Sequence, residues 1–488
     1  MIFGRAAVPR YDRAGLRPGI LHFGVGNFHR AHQALYIDDL FNGGRDLDWA
    51  ILGAGVREAD EQMRRRLADQ DFLTTVVEQE ADRSSARITG SMIGFLPPGD
   101  IAAIVGALAD PAIRVVSMTI TEGGYFLDPA SGRFDPGHPE IVADGADPES
   151  PRTVFGLIIA GLKRRRAEGT APFTVMSCDN LRHNGSVTRD AVVGLARLSD
   201  PAFAAWIEES VAFPNSMVDR ITPATGDRER RALEEEFGIV DGWPVFCESY
   251  RQWVLEDNFP AGRPALEQVG VEFVQDVAPF ETMKIRILNG GHSLLAYAAA
   301  LLDVRFVHEA MANPLLHAFL RKVEQDEIIP VVPPVPGTDL LSYFRRVEER
   351  FANPKIADTA QRLCYDGSNK LPKFILPTIS DRLEKGLDAT GLALEVALWC
   401  RYCFGTTESG VPIAPNDPNW HRLQAAAETA RSEPAAWLAL TDIFGDLGLC
   451  EPFRKSFGEA LNMLWRDGTE RTLQRYVGDS VPKATVYA

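Results

Sequence analysis

An α/β domain built on a parallel sheet, followed by a mostly α-helical domain, is the fold class this chain predicts. Three observations predict it. Short apolar runs alternate with helix-like segments through the first half. A Gly-x-Gly turn closes the first of those runs, where a helix opens. After residue 281 the helical period takes over and nothing alternates at period two.

Taken in order, residues 19–25 (GILHFGV) read as the first strand, 28–41 as a helix, 49–56 (WAILGAGV) as the second strand and 58–68 as a charged helix. Residues 113–120 (IRVVSMTI), a helix over 152–166 and residues 173–177 (FTVMS) continue the alternation. Runs this apolar, bounded by turns and separated by helices, argue for strands buried on both faces of a parallel sheet. Residues 73–78 and 86–94 read as a β insertion. Residues 283–302 are one long helical run, and 313–329, 339–351, 392–403, 420–431 and 453–465 keep the helical period. The expected domains are residues 1–280, dinucleotide-binding with a β insertion, and 281–488, all-α and carrying substrate and catalytic groups. The Pro-rich stretch 330–337 (PVVPPVPG) is a rigid connector inside the second domain.

The 488 residues give room for two or three domains. Hydrophobic residues at 45% and charged residues at 24% are the proportions of an ordinary soluble globular protein and exclude disorder or fibres. A net charge of −16 argues against nucleic acid and against an anionic membrane surface as partners. Six cysteines are too few and too scattered for a disulfide framework. The opening MIFGRAAVPRYDR lacks the apolar core of a signal peptide. The longest uncharged, mostly apolar stretch, 287–302, is shorter than the roughly 20 residues a membrane span needs. The expectation is an acidic, soluble, cytoplasmic enzyme.

The first strand runs into Gly24-Val25-Gly26-Asn27-Phe28-His29-Arg30. Gly-x-Gly at a strand end is half of the fingerprint that sets a pyrophosphate on a helix N-terminus, and His29 stands where the third glycine would be. These seven residues are the candidate cofactor loop. The second strand ends in Gly53-Ala-Gly55-Val-Arg57-Glu58. An acid just past that strand is where NAD-selective folds bind the adenosine ribose diol, whereas Arg57 beside it suits the 2′-phosphate of NADP. Both residues also fit the start of a solvated helix, with Glu58 favoured there by the helix dipole. NAD is the expected cofactor.

The most informative segment is Glu281-Thr-Met-Lys284-Ile-Arg-Ile-Leu-Asn289-Gly-Gly-His292. At about 100° per residue, Lys284, Asn289 and His292 fall within an arc of roughly 140° on an α-helix. Taking a hydride from a secondary alcohol requires a base for the hydroxyl proton. A lysine desolvated among apolar neighbours can serve as that base, and an amide can hold the developing alkoxide. The structural alternative is a buried polar face on which Lys284 pairs with Glu281 or another acid.

Residues 24–36 (GVGNFHRAHQALY), 248–264 (ESYRQWVLEDNFPAGRP), 284–293 (KIRILNGGHS) and 362–373 (RLCYDGSNKLPK) together resemble the long-chain mannitol dehydrogenase family. The resemblance runs from about residue 18 to past 380. It implies a Rossmann-type dinucleotide-binding domain, a helical second domain, and metal-free hydride transfer between NAD and a small polyol or ketose. Oxidation of D-mannitol to D-fructose is the implied reaction, with arabinitol and sorbitol as further substrates. Reduction of fructuronate or tagaturonate is the sibling activity. A non-catalytic NAD-binding sensor is the rival from another class, and it predicts loss of the base.

Carried over residue by residue, the resemblance makes Lys284 the general base and His292 a substrate-binding histidine. Asn180 and Asn289 become the two asparagines of the catalytic set; by itself, Asn180 in Ser177-Cys-Asp-Asn180 also reads as a turn residue capping the next helix. Asp219 and Arg220 match a substrate-contacting segment. Arg362 and Lys370 match side chains that grip substrate hydroxyls, although charge alone would make them a solvated face. Thr121 falls on the nicotinamide side, and Glu122 is a candidate for the proton path from Lys284 to water. Asn27 departs from the small residue expected in the loop. The larger members of the family imply a monomer. Cys400-x-x-Cys403, inside a helical run with no second Cys or His pair nearby, reads as core packing, so no metal site is expected.

Overall fold

The computed structural model describes residues 2–128 and 131–478, and the chain divides into two compact units, Met1–Ala278 and Pro279–Ala488. In chain order, the strands of the first unit are β1 (Pro18–Phe23), β2 (Ala50–Ala54), β3 (Thr74–Gln79), β4 (Ser84–Thr89), β5 (Met92–Phe95), β6 (Val115–Met118), β7 (Thr174–Ser177), β8 (Ser216–Asp219), β9 (Val245–Glu248), β10 (Gln252–Glu256) and β11 (Glu272–Val274).

A wholly parallel sheet takes the order β5-β2-β1-β6-β7. Leu21 and Phe23 of β1 face one core with Ile104, Phe155 and Val192, while Ile20 faces another with Ile37, Phe41 and Trp253. Both faces are thus covered, and the strands run apolar without alternation. The order proceeds from β1 through β2 to β5 on one side and from β6 to β7 on the other. The winding therefore reverses between β1 and β6, whose carboxyl ends flank the crevice where such sheets bind ligands.

The chain departs from expectation in three places. The helix expected over 28–41 breaks at His32, with helices Asn27–Ala31 and Gln33–Asn42 on either side. His32 takes φ −123° and ψ −92°, and its ring Nε2 lies 3.0 Å from the Gln252 carbonyl, against Trp253 and Phe28. The insertion contains an antiparallel pair, β3 with β4, but the run 86–94 is two strands rather than one. At the break the Gly90 N–H donates to Asp38 at 2.8 Å and the Ser91 hydroxyl to the Ala34 carbonyl at 2.6 Å, turning β5 into the main sheet. Strands β8 to β11 were not among the expected elements; they complete two smaller sheets, β11-β10-β8 and β4-β3-β9.

The second unit is helical, with only isolated bridges among its described residues. Helices Gly290–Leu301 and Thr390–Cys403 are buried almost all round, as central helices wrapped by others must be. The others include Pro314–Val323, Leu340–Phe351, Gly367–Phe374 and Glu451–Asp467. Two segments are wound wider than an α-helix: Lys284–Asn289 and Glu324–Ile328 are π-helical turns. Among the described residues no helix is long and apolar enough to cross a membrane.

Candidate active site

The loop after β1 is built around one close approach. Gly24 has φ +88°, and a Cβ there would lie 2.0 Å from the Thr119 carbonyl oxygen at the end of β6. Only glycine meets both demands. The Gly24 carbonyl in turn accepts from the Thr119 hydroxyl at 2.7 Å and from His22 Nε2 at 3.1 Å. His22 is wholly buried, and burial pushes its pKa down to about 3, so the ring works as a neutral hydrogen-bonding group.

His29 explains how this loop dispenses with a third glycine. Its ring lies flat on His22, with centroids 3.4 Å apart and planes 14° from parallel. Helix and strand therefore pack through two stacked rings where a glycine would let backbones meet. Val25, His29 and Arg30 are buried beneath the loop, whereas Gly24, Gly26, Asn27 and Phe28 reach its surface. Arg30 donates to the Trp243 carbonyl and to Asn27 Oδ1 (2.8 Å), so its guanidinium supports the loop from below. That bond also orients Asn27, the residue larger than expected.

At the end of β2, Arg57 and Glu58 are both exposed. The sequence reading passed over Asp60, which is half-buried and accepts the Arg57 N–H at 3.3 Å. A Cβ on Gly55 would come within 2.6 Å of its Oδ2, so glycine makes room for this carboxylate.

The loops after β6 and β7 are tied together by another residue the sequence reading passed over. Asp179 accepts the Ile120 and Thr121 amides, each at 2.9 Å, and the Tyr125 hydroxyl at 2.7 Å. It is only 8% exposed, and burial raises its pKa against the lowering by those three donors. Thr121 sits at φ +63° and ψ 164°, a region that is essentially glycine-only and costs about 1–3 kcal/mol. Thr121 and Glu122 are exposed past β6, and Asn180 is exposed past β7. The N-cap position of the helix after β7 is His183, which makes no side-chain capping bond, so Asn180 does not occupy that position.

Asp219 closes β8 and is buried. Arg220, the expected substrate contact next to it, is buried as well. Its side chain is buried and donates to the carbonyls of Ala31 (2.6 Å) and Glu248 (2.9 Å) and to Glu78 Oε1 (2.5 Å). A guanidinium spent on such partners is a strut inside the first unit.

In the second unit, the turn bearing Lys284 and Asn289 is the central feature. The Gly290 N–H reaches back five residues to the Ile285 carbonyl. Closure at i→i+5 stacks residues five apart on one face, where α geometry would set them roughly 140° apart. Lys284 and Asn289 therefore share a face, and His292, in the regular helix that follows, lies about 60° further round. Lys284 is 7% exposed. The Asn289 amide oxygen is buried without a hydrogen-bond partner. The His292 ring stacks on Phe351 with centroids 4.0 Å apart, which fixes its plane.

Arg362 is paired to Asp358 in bidentate fashion along one edge of its guanidinium, through Nε and Nη2, with Nε 2.5 Å from Oδ1. Lys370 donates to the Leu363 carbonyl at 3.3 Å, and burial, then Arg362, lowers its pKa. The turn between them depends on Gly367, where a Cβ would meet the Tyr297 hydroxyl at 2.4 Å and Trp399 Nε1 at 2.6 Å. Cys400 and Cys403 are buried, and among the described residues no group of three or more His, Cys, Asp or Glu could hold a metal ion.

Comparison with known proteins matches both units. Residues 18–268 match the mannitol dehydrogenase Rossmann domain and residues 276–465 the mannitol dehydrogenase C-terminal domain. A mannitol 2-dehydrogenase from Cereibacter sphaeroides is 58% identical over 470 residues, covering 96% of this chain and 98% of that one. One from Aspergillus fumigatus is 43% identical over 478 residues, covering 96% and 95%. Among solved structures, the Pseudomonas fluorescens mannitol 2-dehydrogenase in ternary complex with NAD and D-mannitol is 44% identical, with a TM-score of 0.86 over 97% of each chain. A D-sorbitol dehydrogenase in substrate-free form is 35% identical, with a TM-score of 0.89 over 97% of this chain and 98% of its own. With both of its domains matched in sequence and in fold, the chain belongs to the mannitol dehydrogenase family.

Proposed function

We propose that this chain is an NAD-dependent polyol dehydrogenase that oxidises D-mannitol to D-fructose and runs the reverse reduction. The observation that carries the reading is the π-helical turn, which sets an ammonium, an amide and an imidazole on one side of a helix in a chain of this family. NAD supplies the hydride acceptor when bound. The Gly24–Gly26 loop fits a dinucleotide, since Gly26 is exposed at the β1/β6 crevice with nothing closer than 3.9 Å to its notional Cβ. Glu58 accepts the ribose hydroxyls, and Thr121 lies on the nicotinamide side.

In the second unit, Lys284 takes the hydroxyl proton, Asn289 holds the reacting oxygen and His292 a neighbouring hydroxyl. Lys370 and the Arg362–Asp358 pair bind the remaining hydroxyls. In the first unit, Asn180 is the second amide of the catalytic set, Glu122 passes the proton to water, and Asp219 binds substrate. The presence of Lys284 speaks against a non-catalytic sensor. The salt bridge to Asp358 offsets the charge of Arg362, and burial disfavours the charge of Lys370, so a carboxylate-ended substrate gains little here.

Initial rates with mannitol, sorbitol, arabinitol and mannonate, each with NAD and NADP, test the reading. Mannitol with NAD should give the highest kcat/KM, with sorbitol and arabinitol below it. A higher kcat/KM for mannonate overturns the polyol assignment. Size-exclusion chromatography tests the monomer the reading carries with it.

A further inference from the structure

We infer that Asp179 is a positioning residue for the hydride-transfer step, clamping the loop after β6 to the loop after β7. Three observations in the first unit carry this. First, its carboxylate holds two successive amides, Ile120 and Thr121, one on each oxygen at 2.9 Å. Second, those amides lead directly into the strained residue, Thr121 at φ +63°, a conformation a β-branched residue keeps only when its surroundings impose it. Third, the clamp is anchored from behind. The Tyr125 hydroxyl reaches Asp179 at 2.7 Å and Ser177 Oγ at 2.6 Å, both buried. The Asn184 amide donates to the Asp179 carbonyl at 3.0 Å and to the Ser216 carbonyl at 2.8 Å, extending the tie to β8.

The exposed neighbours of this knot are Thr121 and Glu122 on one loop and Asn180 on the other. All three carry roles in the proposed reaction, and the Thr121 N–H is one of the amides the carboxylate holds. Asp179 itself is 8% exposed, and its carboxylate is engaged by the Ile120 and Thr121 amides and the Tyr125 hydroxyl. Its effect on the reaction is to fix the spacing of two loops that would otherwise relax as Thr121 left its strained conformation.

The inference rests on the dehydrogenase reading for its consequence but not for its geometry, and two measurements separate them. Hydrogen exchange over residues 118–126, followed by mass spectrometry, needs no turnover. Asp179→Asn turns an N–H against a backbone donor in place of one acceptor, so the amides of this segment should exchange about tenfold faster or more. In mannitol oxidation the same variant should lose roughly tenfold or more in kcat, since small misplacements are costly at the reacting centre. Its Kd for NADH should stay within about threefold, and the primary isotope effect with C2-deuterated mannitol should rise. Adding Thr121→Gly should restore a large part of the lost kcat, because glycine holds a positive φ without support.

Unchanged exchange in Asp179→Asn overturns the clamp whatever the activity. Faster exchange with kcat unchanged overturns its catalytic consequence. A kcat loss that Thr121→Gly does not relieve, with a lowered Tm in both variants, assigns the loss to general stability and overturns the inference. A wild-type chain that oxidises no polyol overturns the proposed function, while exchange still decides the clamp.

Discussion

Replacing Gly24 by alanine separates two costs that a single side chain imposes at once. The first is conformational: a φ of +88° costs an L-residue about 1–2 kcal/mol. The second is steric. The new Cβ would stand 2.0 Å from the Thr119 carbonyl oxygen, and ordinary contact begins at 3.4 Å, so the two loop ends must part by the difference, about 1.4 Å. Parting them strains the bonds that the Gly24 carbonyl receives from Thr119 (2.7 Å) and His22 (3.1 Å). A buried acceptor left unsatisfied costs about 1–3 kcal/mol. Together the terms give about 2–5 kcal/mol, or roughly 4–20 °C in Tm at about 2–4 °C per kcal/mol.

Calorimetry without ligand reads that loss, and titration with NADH reads the loop. Since the displaced residues form the proposed pyrophosphate cradle, Gly24→Ala should weaken NADH about tenfold or more, equivalent to about 1.4 kcal/mol. Gly169→Ala is the control. Gly169 has φ +70° at a helix C-terminus with nothing within 4 Å of its notional Cβ, so it pays the first cost alone. It should lose about 1–2 kcal/mol and keep its affinity. Equal Tm losses and equal NADH affinities in the two variants would refute the close-approach reasoning.

Three further outcomes are expected. Lys284→Ala should lose about 10²–10⁴-fold in kcat/KM for mannitol with NADH affinity unchanged, and an added primary amine should return part of the rate; a tenth or more of wild-type activity would point to another base. Glu58→Lys should move the kcat/KM preference from NAD toward NADP, because it removes a diol acceptor and supplies a cation for the 2′-phosphate. Glu395 is wholly buried, both its carboxyl oxygens lack partners, and burial raises its pKa well above the usual value. Its proton is held more tightly folded than unfolded, so its contribution to stability is complete in acid and is lost as pH rises through the folded value. Glu395→Gln should therefore raise Tm more at pH 8 than at pH 5, and an equal shift at both would refute it.

What could be read in the sequence was whatever composition or local spacing records. The parallel strands showed as apolar runs because burial on two faces leaves no alternation, and the Gly24–Gly26 turn showed because both glycines answer local constraints. The turn at Lys284–Asn289 left no such mark. Its residues were read at the α-helical phase, and i→i+5 closure changes which of them share a face without changing which are apolar. Asp179 is not legible in the sequence because its bonds are to Ile120, Thr121 and Tyr125, far from it in the chain. Arg220 shows the same limit: its place beside Asp219 is legible, but its bonds to the carbonyls of Ala31 and Glu248 join residues far apart in the chain.

A common logic links three features of the candidate site. Each costs free energy where it stands: a threonine in a glycine conformation, an amide oxygen buried without a partner, a lysine 7% exposed. Cost alone does not identify a site, since Glu324 and Glu395 are also buried with unpartnered carboxyl oxygens. The difference is convergence. In the second unit, Lys284, Asn289 and His292 bring an amine, an amide and an imidazole to one side of a single helical run, and the wider turn is what aligns the first two. Glu395 stands within a helix buried almost all round and offers one kind of group alone. Stored cost becomes evidence of function where several such groups with complementary proton chemistry face the same way, and the turn at Lys284–Asn289 meets that condition.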